Sequence, residues 1–174
     1  LVGSEMCIRD RCGFDSARKL AILSSIGFRA NVTFDDVLVE GIEKIDKSDI
    51  QYAKEMGYTI KLLTVALRQE NGIALNVYPA FLPDDHPLSS VKGSYNAIYV
   101  TGNIVDDVMF YGRGAGALPT ASAVMGDVIS TAQHILNGST GTGMIMTDTK
   151  RIPFYSSLKL QNSYYFRLDV DDVT

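Results

Sequence analysis

Between residues 15 and 26, apolar side chains recur at helical spacing, with Ala17, Leu20, Ala21, Leu23 and Ile26 sharing one face. Asp15 offers an N-terminal cap and Gly27 an exit, so the pattern predicts a helix from Asp15 to Ile26. A second, short helix is expected from Ser48 to Met56, with Ser48 and Asp49 at its start and Gly57 after its end. The pattern then changes. Tyr58–Leu67 and Ile73–Leu82 are rich in β-formers and flank Asn71-Gly72, a pair that favours the tight turn of a hairpin. Tyr95–Val100 and Val108–Tyr111 read as two more strands around a turn at Gly102-Asn103. Helical spacing returns over Thr120–Leu136, where Val124, Val128, Ala132, Ile135 and Leu136 recur and Asn137-Gly138 closes the run. This order predicts an α+β fold, with helices covering one face of a mixed, largely antiparallel sheet.

The ends of the chain break these patterns. Residues 1–12 show neither helical nor strand periodicity, and Leu1–Arg11 resembles translated adaptor sequence, so this stretch is set aside as a non-native leader. Residues 138–163 are rich in Gly, Ser and Thr and read as a linker. Tyr164–Val170 alternates like a strand, with Tyr165, Arg167 and Asp169 on one side and Phe166, Leu168 and Val170 on the other. A single terminal strand has no partner of its own, so the sequence reads as a piece of a longer protein.

Composition narrows the function. The 174 residues are 46% hydrophobic and 21% charged, which suits a globular domain with a real core. The formal charge is -4 and no basic run exceeds Lys150-Arg151, so nucleic acid is not an expected partner. No apolar stretch reaches the length of a membrane span, and no membrane partner is expected. Cys7 and Cys12 have no second Cys or His pair to complete a zinc site, so no metal is expected, and so few cysteines suit a reducing, cytoplasmic compartment.

Two places carry candidate chemistry. Asp15 and Lys19 stand four apart and so share one face of the first helix, with Arg18 turned about 100° away. That spacing fits a simple cap with an i,i+4 ion pair. It also admits a site in which Asp15 holds a substrate ammonium and Lys19 exchanges a proton with a substrate oxygen, though from spacing alone the cap and ion pair are the first reading. Gly112-Arg-Gly-Ala-Gly116 lies between a strand and a helix, where bare backbone can receive an anion or let a cofactor come close, but the same residues also make an ordinary tight turn. The cluster lacks the spacing of a dinucleotide fingerprint or a phosphate loop. His86, in Pro83-Asp-Asp-His-Pro87, reads first as a turn histidine bonded to its own loop.

Taken together, Gly13-Phe-Asp-Ser-Ala-Arg-Lys-Leu-Ala-Ile-Leu23, Glu40-Gly-Ile42, Gly57-Tyr-Thr-Ile-Lys-Leu62, His86-Pro-Leu88, Asn96-Ala97 and Phe110-Tyr-Gly-Arg-Gly-Ala-Gly-Ala-Leu-Pro-Thr-Ala-Ser-Ala-Val124 resemble homoserine dehydrogenase, in order and from about Gly13 to Leu136. Tyr164–Val170 is similar to the opening strand of the ACT regulatory domain that follows the catalytic part in many members. The resemblance implies a catalytic and dimerisation domain over 13–137, a linker over 138–163 and the start of an ACT domain over 164–174. It implies NAD(P)-dependent reduction of aspartate 4-semialdehyde to homoserine, in threonine, methionine and isoleucine biosynthesis, by a cytoplasmic homodimer. Within that reading Lys19 is the acid/base, Asp15 binds the substrate, and Gly114, Ala115 and Gly116 approach the NADP or NAD. The family's Rossmann domain has no counterpart here, so the resemblance also implies a chain that is inactive alone. A non-catalytic dimerisation or regulatory module, or a plain amino-acid-binding protein using Asp15, remain alternatives.

Overall fold

The computed structural model describes residues 11–70, 72–139, 152–154, 162–168 and 170. The first helix, α1 (Phe14–Phe28), starts one residue before the expected Asp15. Its N-cap is Gly13, held at φ 79°, a left-handed conformation that glycine adopts without strain. A Cβ at Gly13 would come within 3.0 Å of Val77 Cγ1 and 3.1 Å of Val39 Cγ1, so the chain enters α1 by passing close over the sheet. Asp15 lies inside the first turn and caps nothing. At the other end the helix runs through Gly27, and Arg29 takes the left-handed closing position with its N–H donating to Ser25 O. Ser25 Oγ also accepts from Val32 N and donates to Val32 O, tying the helix end to the chain that follows.

After a 3-10 turn at Phe34–Asp36, the two-residue strand β1 (Leu38–Val39) pairs parallel with the strand β3 (Gly72–Pro83). The sequence pattern does not single out β1, because two residues show no periodicity and only the tertiary pairing defines them. Helix α2 (Lys47–Glu55) is capped by Asp46 rather than Ser48. Asp46 Oδ1 accepts from Asp49 N and Asp49 Oδ2 accepts from Asp46 N, each at 3.0 Å, a reciprocal box built from two aspartates.

Strand β2 (Tyr58–Gln69) pairs antiparallel with β3 along its whole length, from Tyr58 opposite Pro83 to Gln69 opposite Gly72. Gly72 therefore opens β3 instead of sitting in the turn, and Asn71 lies outside the described residues. The resulting sheet has the order β1-β3-β2. A separate hairpin follows, β4 (Tyr95–Gly102) antiparallel to β5 (Asp106–Arg113), and then α3 (Ala117–Leu136). Helix α3 begins three residues before the expected Thr120, since Pro119 falls in the first turn, where a missing N–H costs no intrahelical bond.

The fold is α+β, as the sequence pattern predicts, with its mixed and antiparallel pairings divided between two sheets. The core is the contact between α1 and β3. Ala17, Leu20 and Ala21 of α1 pack with Ile73, Leu75 and Val77, joined by Ala30, Val32 and Val37. Alanines at 17 and 21 let the helix lie close to the strand, and alternate residues of β3 turn the same face to it. Helix α3 differs from α1 and α2 in burying none of its residues.

Parts of the expected linker and terminal strand are described. Within 138–163, Phe154 forms a parallel bridge with Ile73, Ile73 N donates to Pro153 O at 3.0 Å, and Ile152 packs against the core. The segment 162–168 keeps the expected alternation, with Phe166 and Leu168 exposed and Tyr165 and Arg167 turned toward α2 and β3, but it joins neither sheet as a strand. The expected leader, apart from Arg11 and Cys12, lies outside the described residues.

Ile73 is completely enclosed. Ile73→Ala is expected to cost about 2–5 kcal/mol, the scale of a large-to-small change in a packed core. Urea unfolding of the chain and the variant measures it, and a loss well under about 1 kcal/mol would mean that β3 is not the packing centre.

Candidate active site

Because α1 rests on the sheet through Ala17, Leu20 and Ala21, its first two turns present Asp15 and Lys19 on another side. Their spacing of four places them one turn apart. Lys19 Nζ lies 2.6 Å from Asp15 Oδ2, with the lysine side chain 66% and the aspartate side chain 46% exposed. A pair this open is worth little to stability, a few tenths of a kcal/mol at most for such helical pairs. Exchanging its partners for a ligand is correspondingly cheap. Arg18 points elsewhere, as its position on the helix predicts: its guanidinium lies 5.4 Å from the Phe34 ring centre, and Phe34 meets Phe14 edge-on. Beside it an open groove of about 750 Å³ runs between α1 and the Val32–Phe34 segment, walled by Ala21, Ile22 and Ile26.

The glycine turn is built differently. Gly114 continues the hairpin ladder, its N–H donating to Ser94 O at 3.1 Å. It packs directly on the Asn96 side chain, which occupies the space a Cβ at Gly114 would need. The contact between Gly114 and Asn96 is thus reason enough for glycine there. Gly116 is the N-cap of α3 at φ 126°, again a conformation suited to glycine, and no side chain caps the helix. Thr120 N closes the first turn on Gly116 O, Pro119 carries no N–H, and the N–H groups of Ala117 and Leu118 fall among the first-turn donors that lack intrahelical partners.

The two halves of the candidate site belong to different packing elements. Helix α1 packs on the three-stranded sheet, whereas the glycine turn caps the open end of the β4–β5 hairpin. Among the described residues, no hydrogen bond, ion pair or ring contact joins Asp15 or Lys19 to Gly114, Ala115 or Gly116. His86 behaves as a turn histidine: its Nδ1 accepts from Leu88 N at 3.1 Å, and its ring lies 5.4 Å from that of Tyr99. No three His, Cys, Asp or Glu side chains gather as a metal cluster among the described residues. Nor, among them, is any helix long and apolar enough to cross a membrane.

Some residues that shape the site escape a reading for chemistry. Gly13 sets the height of α1 over the sheet, and its signal is only a glycine beside a helical run. Asn96 fixes the glycine turn from the neighbouring strand, a role visible only once the register places it opposite Gly112.

Comparison with known proteins places these features in one family. A family model described as homoserine dehydrogenase matches residues 7–129. The homoserine dehydrogenase of Bacillus subtilis is 45% identical over 133 residues, which is 76% of this chain and 31% of that protein. That of Corynebacterium glutamicum is 41% identical over 165 residues, 92% of this chain and 37% of that protein. The chain thus spans about a third of the length of these relatives. Among solved structures, a homoserine dehydrogenase from Thiobacillus denitrificans superposes with a TM-score of 0.78 at 36% identity, covering 84% of this chain and 35% of that one. A hyperthermophilic archaeal homoserine dehydrogenase in complex with NADPH gives 0.54 at 26% identity, covering 72% of this chain and 34% of that one.

The contact under the glycine turn is open to a direct test. Gly114→Ala is expected to destabilise the chain by about 1–3 kcal/mol, the cost of overpacking. In an Asn96→Ala background most of that cost should vanish, because the displaced side chain is gone. Equal losses in the two backgrounds would show that Asn96 does not set the requirement for glycine.

Proposed function

Since the chain belongs to the homoserine dehydrogenase family, we propose that it carries the substrate half of an NAD(P)-dependent oxidoreductase that reduces L-aspartate 4-semialdehyde to L-homoserine in threonine, methionine and isoleucine biosynthesis. The observation that carries this reading is the Asp15–Lys19 pair, held open on α1 within the stretch that matches the family. In the proposed complex, Asp15 exchanges its lysine partner for the substrate ammonium and so fixes the orientation of the substrate. That exchange releases Lys19 Nζ toward the aldehyde oxygen, where the ammonium hydrogen-bonds and then gives up its proton as the oxygen becomes a hydroxyl. In the reverse direction neutral Lys19 takes the hydroxyl proton. The chemistry supplied by the nicotinamide, when bound, is hydride transfer to and from the substrate carbon.

The glycine turn fits such a cofactor in part. Gly116, without a Cβ and at the uncapped start of α3, leaves backbone open to a close neighbour, with Ala115 beside it. Gly114 has its own reason in Asn96 and would hold the turn's shape. The open pair and the open turn are half of a site, so the chain on its own is expected to show no turnover.

The same reading divides the chain into a catalytic and dimerisation domain over 13–137, a linker over 138–163 and the start of an ACT domain over 164–174. It makes the working protein a cytoplasmic homodimer. Twelve-residue β2, at the edge of its sheet among the described residues, supports an assembly of this kind, because an open edge of that length favours association.

The test uses the full-length protein from which this sequence comes. Lys19→Ala should lower kcat for aspartate 4-semialdehyde reduction by roughly 10²- to 10⁴-fold, as for the loss of a general acid. Asp15→Asn should mainly raise KM for the semialdehyde. Unchanged turnover in Lys19→Ala, followed by oxidation of the nicotinamide, would defeat the assignment.

A further inference from the structure

The start of α2 holds two carboxylates close together. Asp46 and Asp49 bond each other's backbone N–H in the reciprocal box, and Asp49 is only 7% exposed. Two like charges this near, one of them buried, need a cation to offset their repulsion and desolvation. Arg167 supplies it from 118 positions along the chain. Its Nη1 donates to Asp46 Oδ1 at 2.7 Å and to Asp49 Oδ1 at 2.8 Å, while Nη2 lies 2.7 Å from Asp46 Oδ2. The planar guanidinium thus spans both acids, which a point-charge ammonium does not reproduce.

Two residues earlier, on the same side of the extended segment, Tyr165 stacks on Phe81 with ring centres 4.8 Å apart, and Phe81 in turn neighbours Tyr58. The Tyr165 hydroxyl donates to Asp49 Oδ1 at 3.3 Å. Asp49 thereby receives donors on both oxygens, from Asp46 N on one and from Arg167 and Tyr165 on the other. The residues between and beside the two anchors, Tyr164, Phe166 and Leu168, are exposed, so the contact is made by every second side chain.

We propose that Asp46, Asp49 and Phe81 form a docking surface for an extended Tyr-x-Arg segment, occupied in this chain by Tyr165 and Arg167, and that this latch couples the position of the C-terminal segment to the order of the first turn of α2. The coupling runs both ways. Lifting the segment strips Asp49 of its cation and weakens the cap of α2, and loosening the cap removes the site that holds the segment. In keeping with this geometry, the Arg167 hydrogen bond, followed by that from Asp49 N–H, holds the Asp46 carboxyl well below the usual carboxylate range. The inference is independent of the proposed catalytic role, since neither Asp15 nor Lys19 takes part.

Hydrogen exchange with mass spectrometry on the full chain tests it. Arg167→Ala should speed exchange about tenfold or more in peptides covering 162–168 and also in those covering 46–52, the scale of one lost hydrogen bond to a charged group. Peptides within β2 and β3 should keep their rates. Arg167→Lys should restore only part of the protection. Combined with Asp46→Asn, Arg167→Ala should add little to either single change. Unchanged exchange at 46–52 in Arg167→Ala, additive effects in the double variant, or free exchange of 162–168 in the unaltered chain would each overturn the proposal.

Discussion

The seating of α1 on β3 is the constraint from which most of the structure follows. Ala17 and Ala21 present almost no side chain, Leu20 fills the gap between them, and Ile73, Leu75 and Val77 supply the opposing surface. Burial of this apolar interface is the main favourable term available to so small a core. Because the seat fixes the rotation of the helix, it also fixes which residues are left outward. Asp15 and Lys19 face outward together because alanines four residues apart are buried together. The chemistry proposed for the chain is thus a geometric by-product of how its core is packed.

Gly13 makes that seat possible. Its left-handed turn brings the chain into α1 directly over Val39 and Val77, close enough that a Cβ would press on both valine side chains. The parallel pairing of β1 lies next to the same spot, with Val39 opposite Val77. Entry to the helix, the short parallel strand and the centre of β3 are one local arrangement.

The periodic elements were legible in the sequence. The i,i+4 spacing of Asp15 and Lys19, the apolar face of α1, the long β2–β3 hairpin and the β4–β5 hairpin all follow from patterns of 3.6 and 2 residues. Boundaries were less legible, because several residues compete for each cap. Asp15 is a better cap by side chain than Gly13, yet the close pass over Val77 requires glycine, and tertiary packing decides. Likewise Asp46 outranks Ser48 because only it completes a reciprocal box with Asp49. Strand β1 has no local signal at all. For the site, the sequence shows which side chains share a helix face but not how far the glycine turn stands from them, since that depends on where the hairpin goes after β3.

Where the chain returns after α3 has its own consequence. Pro153 and Phe154 come back to the start of β3, on the partner Ile73, which already sits at the heart of the core. The hairpin and α3 together are therefore an excursion that leaves one point of the central strand and rejoins it at its beginning. In folding terms the β2–β3 hairpin forms from neighbours in sequence, α1 joins it across the intervening β1 and α2 to complete the hub, and the excursion closes as one large loop whose entropic cost grows only slowly with its length. Evolution can lengthen, shorten or reshape that loop with little penalty to the hub.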